Sequence, residues 1–244
     1  MNGRLHLLLL MPAAALCALW LAWRGLAVVD FAYPAWYRVM DIHGHIQEYG
    51  PQNRFRADFE STTPAERARL FGAIVDAIHD DGRGLDGLRY HAPDGREIAP
   101  LLHEAEIVHL QDVARLVSTL APVGWLAVAW TVVHLGLVYA RGWPVPGPGR
   151  VVAITLLVVG AGVAALLAAG FRDVFYALHE WVFPADHQWF FYYQDSLMST
   201  MMKAPWLFAG IGALLLVVAL GIYLGIFGLA GKLSEAGRSR RAGA

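Results

Sequence analysis

Four long apolar stretches constrain this chain more than any other feature. They run roughly Leu5–Trp23, Val117–Tyr139, Val151–Phe171 and Trp206–Leu229, and each approaches or exceeds the ~20 residues a helix needs to cross a bilayer. Backbone polar groups in hydrocarbon have to be satisfied inside the segment, so such stretches fold as helices. Charged residues make up only 16% of the 244 residues and hydrophobic ones 57%, whereas a soluble domain carries about 25% charge. The expected fold class is an α-helical membrane protein, with four transmembrane helices and a small mixed α/β extracytoplasmic cap between helices 1 and 2.

The first stretch has the look of a secretory signal. Its apolar run continues past Cys17 to Trp23, however, which is long against the roughly 7–15 residues of a cleaved segment. Leu16 stands where a lipoprotein signal needs a small residue, so a retained helix is expected. Cys17 is the only cysteine, which excludes an internal disulfide and leaves it a packing role. The expected divisions are a first transmembrane helix in 1–29, the cap in 30–112, a second helix in 113–141 and a cytoplasmic linker in 142–150. A third helix in 151–171, an aromatic extracytoplasmic loop in 172–203, a fourth helix in 204–231 and a basic cytoplasmic tail in 232–244 complete the chain.

Charge sets the orientation. Arg4, then Arg141 and Arg150, then Lys232, Arg238, Arg240 and Arg241 give three segments with seven basic residues against one acid, Glu235. By the positive-inside rule these segments are cytoplasmic, with both termini expected inside. The segment 30–112 holds fifteen acids and eight arginines and is expected outside, together with 172–203. No basic face points to nucleic acid. The partners expected are membrane lipid and whatever substrate the site takes.

The cap is too long for a structureless loop. Thr63-Pro64-Ala65-Glu66 reads as a helix start, with a hydroxyl cap, proline at the first helical position and Glu at the capping-box position. Leu70, Phe71, Ile74, Val75 and Ile78 follow with helical spacing, and Asp80-Asp81-Gly82 closes the helix. Pro93-Asp94-Gly95 between Leu88–His91 and Arg96–Ile98 predicts a hairpin. Pro100 is expected to open a helix that runs unbroken into the second span.

Two histidines fall at one edge of the predicted bilayer. His109 precedes the second apolar run, and His179 follows the third. Imidazole titrates near neutral pH, so such a pair suits proton transfer. Glu106, His109 and Asp112 are three apart and share one side of a helix, which allows either carboxylate to orient the His109 ring. An amphipathic juxtamembrane helix with a polar face explains the same spacing. Glu106-x-x-His109 is half of a di-iron carboxylate site, but no second Glu-x-x-His exists. Trp181, Phe183, Trp189, Phe190, Phe191, Tyr192 and Tyr193 fit an interfacial aromatic belt. With Asp186, Asp195 and Lys203 they also fit the wall of an acyl- or glyceryl-binding site. His43-Gly44-His45 has the appearance of a metal pair but reads better as surface histidine, as do the other outer histidines, among them His103 and His187. His6 and His134 are expected only to cap or pack. No Gly-x-Ser-x-Gly, phosphate loop, dinucleotide fingerprint or Cys-x-x-Cys is present, so no cofactor and no acyl-enzyme nucleophile is expected. Axial ligation of a haem b by the two histidines is the cofactor-based alternative.

The stretch Leu102–Leu116, Leu-His-Glu-Ala-Glu-Ile-Val-His-Leu-Gln-Asp-Val-Ala-Arg-Leu, resembles the E-x-x-H-x-x-D-V signature of a family of bacterial integral membrane proteins. Phe175–Pro205, with Phe175-x-x-x-His179-x-x-x-Phe183 and then Trp189, Asp195 and Pro205, resembles that family's second signature. Its members include the lipoprotein intramolecular transacylases (Lit-like proteins). The resemblance implies four membrane helices with an extracytoplasmic cap. It also implies an enzyme that moves the sn-2 acyl chain of a diacylglyceryl-cysteine lipoprotein to the cysteine α-amine, giving a lyso-form lipoprotein. Mapped by motif, His109 and His179 are the catalytic pair, with Glu106 or Asp112 as orienter. Trp189, Tyr192, Tyr193 and Asp195 are the substrate-binding candidates. A non-catalytic membrane scaffold whose cap binds a partner is the alternative from another class.

Overall fold

The structure, a computed structural model, describes residues 5–243; Arg4, part of the charge argument, lies outside them. Among the described residues four helices are long and apolar enough to cross a membrane: His6–Ala27, Glu104–Arg141, Pro148–Ala169 and Trp206–Ala242. They belong to α1 (Leu5–Ala27), α5 (Glu104–Arg141), α6 (Pro148–Ala169) and α9 (Trp206–Ala242). Between α1 and α5 lie α2 (Tyr33–Val39), α3 (Ile42–Tyr49), α4 (Pro64–His79) and a two-stranded antiparallel sheet of β1 (Arg89–His91) and β2 (Glu97–Pro100). The segment between α6 and α9 holds α7 (Phe171–Val182) and α8 (Leu197–Met202). The chain is a multi-pass helical membrane protein with one small sheet.

Contacts divide the chain into two compact units. One comprises the described residues through Arg24, then Ala121–Leu178, and those from Leu215 onward. Here Ala14, Ala18 and Ala22, each fully buried, form a stripe at every fourth residue of α1. They cluster with Ala219, Tyr223 and Phe227 of α9 and Val151 of α6. Small residues at this spacing let helix backbones approach, which is how helices associate where burial against lipid gains little. Gly124 of α5 sits against Trp20, where an added Cβ would run into the indole. His6 and His134 do pack, and they also pair. His6 Nδ1 lies 3.2 Å from His134 Nε2, while His6 Nε2 donates to the Pro144 carbonyl at 3.0 Å.

The tail departs from expectation. The fourth helix does not end near 231, and residues 232–242 continue α9. Ser234 donates to the Trp143 carbonyl at 2.6 Å, and Arg241 donates to the Arg141 carbonyl at 2.8 Å. These bonds, and basic residues beside the negative end of the helix dipole, hold the last turns.

The other unit comprises Gly25–Leu120 and His179–Leu214. Helix α4 starts as predicted, with Thr63 Oγ1 accepting from Glu66 N at 3.1 Å and Pro64 at the first position. It ends in a Schellman turn, Gly82 N to Ala77 O at 2.8 Å, with Asp81 at φ 55 in the left-handed position that glycine usually fills. The Glu66 side chain does not close a capping box. It turns to Arg69 and to both the backbone N–H and Nδ1 of His91, joining α4 to the hairpin. The hairpin forms around Gly95, with a bulge between Tyr90 and His91. Pro100 does not open α5. It ends β2, and its carbonyl accepts from Arg56 Nε at 2.8 Å, so the helix begins four residues later.

The core of this unit includes Ile42, Ile46, Phe59, Leu70, Ile74 and Tyr90, with Tyr33 and Phe71 stacked at 4.2 Å. Through it runs the fully buried Arg67. Its guanidinium donates to Thr62 Oγ1 (2.9 Å), Tyr37 OH (2.6 Å), His43 Nδ1 (3.0 Å) and the Glu60 carbonyl (2.8 Å). Neutral acceptors from three separate segments thus solvate one buried cation, and each becomes costly to remove.

Two outcomes are expected. The Glu66 carboxyl is pulled down from 4.5 to about 2, first by the hydrogen bonds from Arg69, which outweigh an upward push from burial, and then by those from His91. Its contribution to stability is therefore complete above pH 4.5 and is lost as pH falls toward 2. The thermal midpoint of the detergent-solubilised protein should fall over that window, and Glu66→Gln should lower the neutral-pH midpoint and flatten the dependence. Gly124→Ala should lower the midpoint as well, by about 1–3 kcal/mol of overpacking against Trp20.

Candidate functional site

Helix α5 presents the first histidine from a capped start. His103 precedes the helix, and its backbone N–H donates to Glu106 Oε2 at 2.8 Å, the back half of a capping box. The other Glu106 oxygen accepts from Ser196 Oγ. Ser196 in turn accepts from Ser199 N at 2.8 Å, which caps α8. One carboxylate, 1% exposed, therefore ties the N-termini of two helices together. His109 and Asp112 follow on the next turns of α5.

The second histidine stands in the last turn of α7. The expected loop 172–203 thus contains two helices. Phe183 N donates to the His179 carbonyl at 3.0 Å, and Pro184 then ends the helical run. The chain returns through Trp189 and the buried Phe191 to Ser196.

The two imidazoles come together. Their ring centroids are 6.4 Å apart with 32° between planes. Phe183 lies against both, 5.0 Å from His109 and 5.3 Å from His179. Phe191 flanks His109 at 6.0 Å, and Trp189 flanks His179 at 4.8 Å. His109 Nδ1 is buried without a hydrogen-bond partner. Aromatic side chains thus flank two adjacent imidazoles, and His109 Nδ1 is left for a bound polar group.

The expected orienters do something else. Glu106 is committed to His103 and Ser196, and Asp112 accepts from Arg115 Nη1 at 3.1 Å and faces His187 Nδ1 at 2.6 Å. Neither carboxylate bonds the His109 ring. Each carboxylate gives one oxygen to a neighbour three residues away and the other to a distant residue, Ser196 or His187. Of the binding candidates, Trp189 is at the pair. Tyr192 is exposed and touches Phe190 edge-on at 5.1 Å. Tyr193 packs with His45 (4.5 Å) and Tyr49 (4.9 Å), and its OH donates to the Ala204 carbonyl. Burial, then the Tyr49 hydroxyl, pushes the Tyr193 phenol up, so it stays protonated. Asp195 pairs with Arg54 at 3.1 Å.

His45 is buried rather than on the surface, and His43 accepts from the Arg67 cation. Among the described residues no group of three His, Cys, Asp or Glu side chains has a metal-holding arrangement. Sequence reasoning did not single out Ser196, or the pairing of His187. The only local signal for Ser196 was its place two residues ahead of a Met-Ser-Thr-Met-Met run, as a helix cap.

Fold and site define a four-span membrane protein with an aromatic-walled histidine pair. Residues 92–205, which contain the pair, match the family model described as lipoprotein intramolecular transacylase Lit, and the chain resembles that family over this segment. The structure also resembles the in meso structure of the membrane integral lipoprotein intramolecular transacylase Lit from Bacillus cereus, determined as a histidine-to-arginine variant. The TM-score is 0.67 at 15% identity, covering 98% of this chain and 94% of that one, a likeness of fold. No curated protein matches the chain.

Glu106→Ala and Ser196→Ala should each lower thermal stability in detergent, by about 2–4 kcal/mol for the carboxylate and 1–2 for the hydroxyl. The double variant should cost less than the sum, because both changes break the same bond. Additive losses would show that the two helix ends are independent.

Proposed function

We propose that this chain is an intramolecular O-to-N acyltransferase of lipidated bacterial lipoproteins. The observation that carries the reading is the 6.4 Å approach of His109 and His179 inside an aromatic wall. The match of residues 92–205 to the Lit family supports it. The substrate is a diacylglyceryl-cysteine at a lipoprotein N-terminus. Its neutral α-amine attacks the sn-2 ester carbonyl; the C–N bond forms and the C–O bond to glycerol breaks. One imidazole takes a proton from the attacking nitrogen, and an imidazolium gives a proton to the departing alkoxide, leaving an N-acyl lyso-form lipoprotein. Donor and acceptor share one molecule, so the protein's main task is to hold them in near-attack geometry, where orientation is worth about 7–11 kcal/mol. Phe183, Phe191 and Trp189 keep competing water from the ester.

The charge distribution supports an inner-membrane placement with both termini cytoplasmic and the histidine pair facing outward. Acyl tails then remain in lipid while the glyceryl ester reaches the pair. Trp189 serves as a wall for the acyl or glyceryl group, whereas Tyr193 and Asp195 shape the surrounding loop.

Co-expression with a diacylated lipoprotein, followed by mass spectrometry of its N-terminal peptide, tests the reading. Wild type is expected to move one acyl chain to the amine. His109→Ala and His179→Ala should each reduce transfer by at least about 100-fold, and Trp189→Ala should weaken it less. No transfer by the wild type would point to the scaffold reading, transfer that survives both histidine changes would overturn the histidine mechanism, and a Soret band in the purified protein would point to the haem reading.

A further inference from the structure

We infer that His187, held by Asp112, is the group through which the site releases a proton to water in each turnover; this rests on the acyl-transfer reading above. The argument begins with proton balance. An α-amine has an ordinary pKa of about 7.7–8.0 and arrives mostly as the ammonium at neutral pH. The product amide is neutral, so the complete reaction is ammonium plus ester to amide plus alcohol plus one proton. The proton taken from the attacking nitrogen can pass to the departing alkoxide and stay with the substrate. The other proton, lost when ammonium becomes amine, has no acceptor in the product and has to leave.

The histidine pair is the less direct exit, since Phe183 lies against both rings and His109 Nδ1 is buried without a partner. His187 is built for it. Its side chain is 30% exposed, and its Nδ1 lies 2.6 Å from Asp112 Oδ2. Asp112 is itself almost wholly buried, with its other oxygen on Arg115. A carboxylate on Nδ1 fixes the tautomer that carries hydrogen there and leaves Nε2 as the basic nitrogen. That Nε2 has no protein partner among the described residues. The charged groups around the ring are Asp112 and Arg115 from α5 and the adjacent Asp186 in its own loop.

Position links His187 to the pair. Asp112 follows His109 by three residues on α5, hence on the same side of the helix. The loop bearing His187 begins at Phe183 and ends at Trp189, both in contact with the histidine pair. A turn bond from His187 N to the Pro184 carbonyl at 3.1 Å holds its backbone. The arrangement is a carboxylate–imidazole dyad on a loop bounded by two residues of the site, with its imidazole partly open to water.

The test uses full-length protein in lipid nanodiscs, a synthetic diacylglyceryl-cysteine peptide and dilute buffer, with N-acylation read by mass spectrometry. His187→Gly is expected to lower kcat at least about tenfold with KM little changed, and tens of millimolar free imidazole should restore most of the rate. His187→Gln keeps a donor toward Asp112 but cannot carry a proton; it should be as slow as His187→Gly. A His187→Gln enzyme at the wild-type rate, or a His187→Gly enzyme indifferent to imidazole, overturns the inference while His109→Ala remains inactive and the acyl-transfer reading stands. A wild-type protein that transfers nothing overturns both.

Discussion

The carboxylate of Glu106 is the constraint on which the arrangement of the site depends. Buried at 1% exposure, it has to spend its oxygens on donors. One accepts from the backbone of His103, where α5 begins, and the other from Ser196, where α8 begins. The helix that carries His109 and the segment that follows His179, Trp189 and Phe191 are thereby referred to the same atom group. A residue that first reads as a candidate for proton chemistry is a joint, and its polarity is consumed in holding two helix ends.

The reach of sequence reasoning follows from the range of the interactions. Membrane helices are legible because hydrocarbon imposes a length and an apolarity that any twenty-residue window displays. The start of α4 is legible because Thr63, Pro64 and Glu66 act within four residues, and the hairpin because its turn chemistry is local. His109 and His179 were brought to one depth by helix topology, though only coordinates give their 6.4 Å approach. What spacing could not reveal is which partner a polar side chain selects. Glu66 chooses His91, 25 residues away; Asp112 chooses His187 at 75, and Glu106 chooses Ser196 at 90. In each case the i, i+3 pattern gave the right face and said nothing of the group that meets it. The tail shows the same limit, since the fourth helix was expected to end near 231, while bonds to the carbonyls of residues 141 and 143 hold the next turns helical.

Buried polarity is distributed unevenly through the unit that holds the site. Arg67 is saturated by neutral acceptors, and Glu106 by donors, so both are structural fixtures whose loss leaves unpaired groups. His109 Nδ1, by contrast, is buried and unbonded. His45 Nε2 and His103 Nε2 in the same unit are also buried and unbonded; what sets His109 apart is its place beside a second imidazole, where an unpaired nitrogen is of use to a reaction.

Gly170 has a consequence for how that imidazole pair is aligned. At φ 85 it interrupts the helical path between α6 and α7, and its carbonyl accepts from Val174 N at 3.1 Å, so α7 starts its own hydrogen-bond ladder there. Angular phase, which accumulates at about 100° per residue along an unbroken helix, is reset at that point. The direction in which His179 faces is thus not inherited from the lipid-exposed length of α6. Two hydrogen-bond ladders, not one, therefore lie between Pro148 and Val182.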